Sequence, residues 1–217
     1  MNRLLVFISL VIGFIGSSTA RELSDIRIRD PFILADQETK TYYMYAQMHN
    51  RLNANESKNG VEVYKSKDLK SWSRPKTVFK IPDGFWANRA VWAPEVHKYE
   101  NKYYLFVTFT SSDTLPPVSG REEQYKRGTQ ILVAEKPTGP FKPFYNCSHT
   151  PQDWMALDGT LWIENNIPYM IFCHEWLQVT DGTMNIVQLK SDLSDVSGNP
   201  KLLFKASDAE WVKPVNP

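Results

Sequence analysis

The chain has 217 residues, with 25 basic against 24 acidic side chains, two Cys, four His, seven Trp and an aromatic share of 13%. Charge this even, with no basic stripe interleaved with aromatics, excludes nucleic acid as a partner, and two cysteines are too few for a disulfide framework. The aromatic content suits a packed all-β core or a site that stacks flat ligands.

The chain opens with MNRLLVFISLVIGFIGSSTA, a positive end at Arg3, an apolar run and then small residues, which reads as a secretory signal peptide. The run is short for crossing about 30 Å of hydrocarbon. Residues 1–20 are therefore expected to be removed, leaving 21–217 as one secreted or periplasmic domain with 24 basic and 24 acidic side chains. No later apolar run is long enough for a membrane span. Cys147 and Cys173 are expected as free, partly buried thiols. With no CxxC, no HExxH and no His clustered with Asp or Glu at ligand spacing, neither a metal nor a cofactor is expected.

The stretch IRIRDPFILADQETKTYYMYA begins at Ile26: a carboxylate, an apolar strand, a polar turn and an aromatic strand. The pattern returns as VWAPEVHKYENKYYLFVTFT from Val91 and ALDGTLWIENNIPYMIFCHEW from Ala156, so Asp30, Glu95 and Asp158 fall at matching places, 65 and 63 residues apart. Each copy is followed by a strand opened by glycine, at Gly60, Gly128 and Gly182. A repeat of about 50 to 60 residues with four short strands is a propeller blade, which must stack on neighbours to bury its faces.

Blade one is expected over 25–81, with strands near 26–35, 41–47, 60–65 and 77–79. Pro31 biases Asp30 towards an extended conformation, and Asp30 is the leading candidate for chemistry. Residues 49–59 form a loop able to shape a pocket rim, and Trp72 is expected to pack between blades. Blade two, over 86–145, opens with FWANRAVWAPEV. Trp86 and Trp92 precede an inner strand where loops surround the axis, so each either stacks on a sugar ring or packs in the core. Residues 111–127 read as a second long loop.

Blade three, over 153–204, allows a geometric argument. If Asn165 and Asn166 form a two-residue hairpin turn, Glu164 faces Ile167 and Asp158 faces Cys173. Glu175 then lies two residues beyond on the same sheet face, a diagonal neighbour of Asp158. Like charges so placed raise the proton affinity of one carboxylate. The alternative is a pair of solvated strand-end acids, and a three-residue turn would break the parity.

RDPFI followed by YYMYA, WAPEV by KYYLFVT, then LDGTLW, with the closing VYKSKDLKSW, resemble the five-bladed β-propeller enzymes of glycoside hydrolase family 43 over essentially the whole mature chain. The resemblance implies inverting hydrolysis of arabinofuranosyl or xylosyl linkages in an oligo- or polysaccharide by three acidic residues. Asp30 matches the general base that activates water, and Asp158 matches the aspartate that tunes the acid and orients the site. Trp86, Trp92 and Glu95 are the substrate-binding candidates. Inversion needs room for a water, with base and acid about 6.5 to 9.5 Å apart. The family's acid usually begins the blade after the tuning aspartate, which by the repeat falls near or past Pro217. Glu175 stands in for it by the hairpin argument, and Glu210 is weaker. Five blades need about 300 residues, so three blades plus the lead into a fourth read as a fragment with an incomplete ring. The competing class is a non-catalytic propeller that binds carbohydrate or protein.

Overall fold

The structure is a computed structural model and describes residues 20–48, 60–118, 120–121 and 123–212. Its strands are β1 (Arg21–Glu22), β2 (Phe32–Asp36), β3 (Thr41–Gln47), β4 (Gly60–Ser66), β5 (Ser71–Trp72), β6 (Lys76–Lys80), β7 (Ala90–Tyr99), β8 (Lys102–Thr114), β9 (Tyr125–Ala134), β10 (Lys142–Pro143), β11 (Ala156–Glu164), β12 (Ile167–His174), β13 (Thr183–Gln188) and β14 (Lys201–Lys205). One short helix, α1 (Trp176–Val179), follows β12. The expected loop at 49–59 and the signal segment at 1–19 lie outside the described residues.

Each repeat folds into its own antiparallel sheet. Blade three runs β11-β12-β13-β14 and blade two β7-β8-β9-β10, while in blade one β4 carries both β6 and β5, and β1 adds to β5. Every strand pair is antiparallel. Three such meanders, stacked in sequence order, make a partial β-propeller.

The middle blade explains why β8 is almost entirely apolar and aromatic. A strand buried on both faces cannot alternate with polar residues. Tyr103, Leu105, Val107 and Phe109 pack with Tyr45, Val61 and Phe79 of blade one, whereas Tyr104 and Phe106 pack with Met170, Phe172 and Val187 of blade three. Each fully buried aliphatic or Phe side chain stabilises this stack by about 1.5–3 kcal/mol. Among the described residues, blade three is covered on one face only. On the other, Cys173, Met184 and Phe204 are cross-strand neighbours in the wall of an open groove of about 700 Å³, and Trp162 and Leu202 are half exposed.

Three expectations need correction. The strand expected to begin the repeat at residue 26 is β2, from Phe32, because Asp30 adopts a left-handed φ of 49° instead of the extended conformation that Pro31 favours. Trp72 packs with Ile26, Met44 and Tyr64, apart from the interface with blade two. The loop expected at 111–127 is shorter, since β8 continues to Thr114 and β9 starts at Tyr125, pairing Thr110 with Arg127 and Thr114 with Tyr125. The buried polar side chains at this extension are tolerated because they find partners, Arg127 on Thr110 and Gln124 on the Leu177 carbonyl. Cys147 and Cys173 are free and half-buried. Among the described residues no helix is long and apolar enough to cross a membrane.

Candidate functional site

The hairpin at Asn165–Asn166 forms as the sequence predicts, with both residues at positive φ and Glu164 facing Ile167. A two-residue turn of this type needs that conformation twice, and Asn tolerates it better than most residues. The register continues through Thr160 opposite Ile171. It then slips by one, so that Leu157, not Asp158, faces Cys173. A β-bulge inserts one residue and re-aims its side chain; here Asp158 is the re-aimed residue, at φ 55°.

Blade two repeats the feature. Trp92 pairs with Thr108 and Glu95 with Phe106, with a slip between them and Ala93 at φ 42°. Asp30, Ala93 and Asp158 therefore occupy the same left-handed position in successive blades. The residue matching Asp30 and Asp158 is Ala93, and Glu95 stands two places further along, level with Phe32 and Thr160. Matching the repeats by their carboxylates missed this because the bulge carries no composition signal of its own.

The bulges bring acidic groups from all three blades towards one another. Partial burial first, then the negative charges of Asp30 and Glu175, raise the Asp158 pKa above the ordinary carboxylate range. Arg127 opposes them, and Glu95 adds a small push upward. Asp158 nonetheless remains exposed to solvent. Asp30 is half exposed and lies 3.2 Å from Arg29 Nε. Glu175, by contrast, is largely buried and paired with Arg127, whose side chain is 9% exposed.

Arg127 organises this corner. Its Nε donates to Thr110 Oγ1 at 3.1 Å, one terminal nitrogen donates to Glu175, and the guanidinium lies 4.2 Å from the centre of the Trp92 ring. Trp92 thus belongs to the site as the aromatic face under Arg127. Glu95 also belongs to it: Thr160 donates its hydroxyl to Glu95, and His97 bonds the same oxygen. Burial would raise the Glu95 pKa, but the bonds from His97 and Thr160 outweigh it and hold the carboxyl below its usual range.

Trp86 is not brought to these carboxylates. Its Nε1 donates to Gln130 Oε1 at 2.7 Å and its ring packs on Phe85 and Phe109, in the interface between blades one and two. Above Glu175, Arg121 of blade two donates to Trp176 O at 2.9 Å and to Thr180 Oγ1 at 2.6 Å, fixing α1. Among the described residues no group of three His, Cys, Asp or Glu is placed to hold a metal ion. Arg127 escaped the sequence reading, although a cation inside YKRGTQILVA, a strand otherwise buried, was the available signal.

A model of the family described as Glycosyl hydrolases family 43 matches residues 23–216. Among solved structures, the endo-arabinase from Bacteroides thetaiotaomicron VPI-5482 is 40% identical, with a TM-score of 0.76 over 92% of this chain and 64% of that one. The α-L-arabinofuranosidase from Lactobacillus brevis, at 18% identity and a TM-score of 0.62 over 81% of this chain and 53% of that one, shares the fold. A stretch of 58 residues is 34% identical to the extracellular endo-α-(1→5)-L-arabinanase 1 of Bacillus subtilis (strain 168), covering 24% of this chain and 18% of that protein. The chain spans less than two thirds of the length of each of these relatives.

Proposed function

This chain belongs to glycosyl hydrolase family 43, and from that premise we propose that its site takes part in inverting hydrolysis of arabinofuranosyl linkages in a plant polysaccharide, with xylosyl linkages the second choice. One observation carries the reading: Asp158, on its bulge, has its charge opposed by Asp30 and Glu175 and favoured by Arg127. A site of that composition can hold one carboxylate as base while controlling the proton on a neighbour.

In this reading Asp30 takes a proton from water as the water oxygen bonds the anomeric carbon, on the face opposite the departing sugar. The bond to the leaving oxygen breaks, and that oxygen takes a proton from a carboxylic acid. Asp158 orients the sugar and controls that acid. Glu175 is the candidate donor among the described residues. Its pairing with Arg127 favours a division in which Glu175 fixes the guanidinium and a carboxyl group from a further blade donates. Glu95 and Trp92 remain the substrate-binding candidates, and Trp86 is assigned to packing. Export is part of the proposal, supported by residues 1–20 of the sequence and by the extracellular location in the printed name of the Bacillus relative.

The test, made on a version that carries the further blade, is release of reducing ends from linear α-1,5-arabinan and from xylan, with an Asp30→Ala control. Hydrolysis of arabinan that the control lacks supports the reading. Retention of arabinan on a native affinity gel without any reducing ends favours the second reading, a sugar-binding propeller, and hydrolysis unaffected by Asp30→Ala removes Asp30 from the mechanism.

A further inference from the structure

A carboxylate at a left-handed position is only as well aimed as the backbone beneath it. The bulge presents two successive backbone donors, and blade two supplies both acceptors: Asp158 N–H donates to Thr108 Oγ1 at 2.9 Å and Gly159 N–H to Thr129 Oγ1 at 3.1 Å. Thr108 and Thr129 stand directly opposite each other on β8 and β9 and are 1% and 0% exposed. Two hydroxyl oxygens side by side thus meet two consecutive amides of the next blade.

The seat is tight and fixed from behind. A Cβ at Gly159 would come within 2.6 Å of Thr129 Cγ2, so the glycine permits the approach. Thr129 is itself anchored, its N–H donating to Thr150 Oγ1 at 3.1 Å and its carbonyl accepting from His149 N–H at 2.9 Å. The corresponding cross-strand pairs elsewhere are Gln47 with Val61 in blade one and Cys173 with Met184 in blade three. Blade one, with Gln47 and Val61, packs against the blade whose bulge carries Ala93. The hydroxyl pair occurs where the facing bulge carries a carboxylate.

We propose that Thr108 and Thr129 are positioning residues for Asp158: by accepting both bulge amides, they fix the left-handed turn that aims its carboxylate at the space shared with Asp30, Glu175, Arg127 and Glu95. The proposal rests on the hydrolase reading for its effect on turnover, but not for its effect on Asp158 itself.

Valine keeps the shape of threonine and removes the acceptor, while serine keeps the acceptor. Misaiming a reacting group by about 1 Å costs up to about 100-fold in rate. Thr108→Val and Thr129→Val should each lower kcat on arabinan about 10- to 100-fold with KM within about threefold, and each serine variant should stay within about threefold of the parent. Carbon-13 NMR of labelled aspartate should show the Asp158 titration moved in the valine variants and unmoved in the serine variants. Equal kcat losses for serine and valine, or a valine variant with the parent's titration, would overturn the proposal. If the parent hydrolyses nothing, the titration still decides it, separately from the hydrolase reading. If a valine variant fails to fold, amide hydrogen exchange of the parent decides: Asp158 and Gly159 should exchange as slowly as the core amides of β8, and fast exchange at either refutes the clamp.

Discussion

Replacing Arg127 by Met removes one charge from a corner where three interactions depend on it. The Glu175 carboxylate loses its ion pair, Thr110 loses a donor, and the Trp92 ring loses the guanidinium above it. Because the two paired side chains are 9% and 13% exposed, the uncompensated carboxylate cannot turn to water without opening the interface of blades two and three. Breaking one partner of a buried pair costs about 3–5 kcal/mol. In a domain of this size each kcal/mol moves Tm by about 2–4 °C, so Arg127→Met should melt about 6–20 °C lower by circular dichroism at neutral pH. Removing both charges is expected to be far milder, since a buried pair replaced as a whole is often nearly neutral. The double variant Arg127→Met, Glu175→Gln should therefore recover most of the loss. A single variant within about 2 °C of the parent, or a double variant no better than the single, would show that this pair does not join the blades.

Asp158 should behave as a residue kept at the expense of stability. Its folded pKa lies above its unfolded one, so its contribution is fully present below the unfolded value and is lost as pH rises through the folded value. Asp158→Asn should accordingly raise Tm at pH 7 and leave it unchanged near pH 3, while lowering hydrolysis; a lowered Tm at pH 7 would contradict this. His149 has the opposite sense: burial pushes its pKa down to about 4, so stability present above pH 6.5 is lost as pH falls towards 4, on the order of 3 kcal/mol. The urea midpoint should drop over that window in the parent, and by much less in a His149→Gln variant. Gly159→Ala should cost about 1–3 kcal/mol by overpacking, given the 2.6 Å approach to Thr129 Cγ2; an unchanged urea midpoint would show that the blades give way easily.

What the sequence disclosed was what repeats. Aromatic strands after polar turns, returning at blade spacing, gave three sheets in the right order, and Asn165–Asn166 gave one hairpin to the residue. What it concealed was whatever depends on a single extra residue. The bulges at Ala93 and Asp158 shift the register by one, which moved the expected partner of Cys173 from Asp158 to Leu157 and the second repeat position from Glu95 to Ala93. Asp158 and Glu175 still meet electrostatically, because the bulge turns Asp158 inward where parity alone had placed it. Thr108 and Thr129 were invisible for a different reason: each lies in a strand whose buried character was plain, yet its partners come from another blade, and stacking between blades leaves no local pattern. Arg127 was missed because its polar neighbours made 111–127 read as a loop, whereas it lies inside β9.

The central claim is that Asp30 activates water for attack with inversion, and the stereochemistry of the first product tests it most directly. In a version that carries the further blade, proton NMR during the first minutes of hydrolysis of linear α-1,5-arabinan should show new reducing ends appearing first as the β anomer, with the α form growing only by mutarotation, and Asp30→Ala should remove at least nine tenths of the rate. A first product in the α form, or more than a tenth of the rate surviving in Asp30→Ala, would contradict the account.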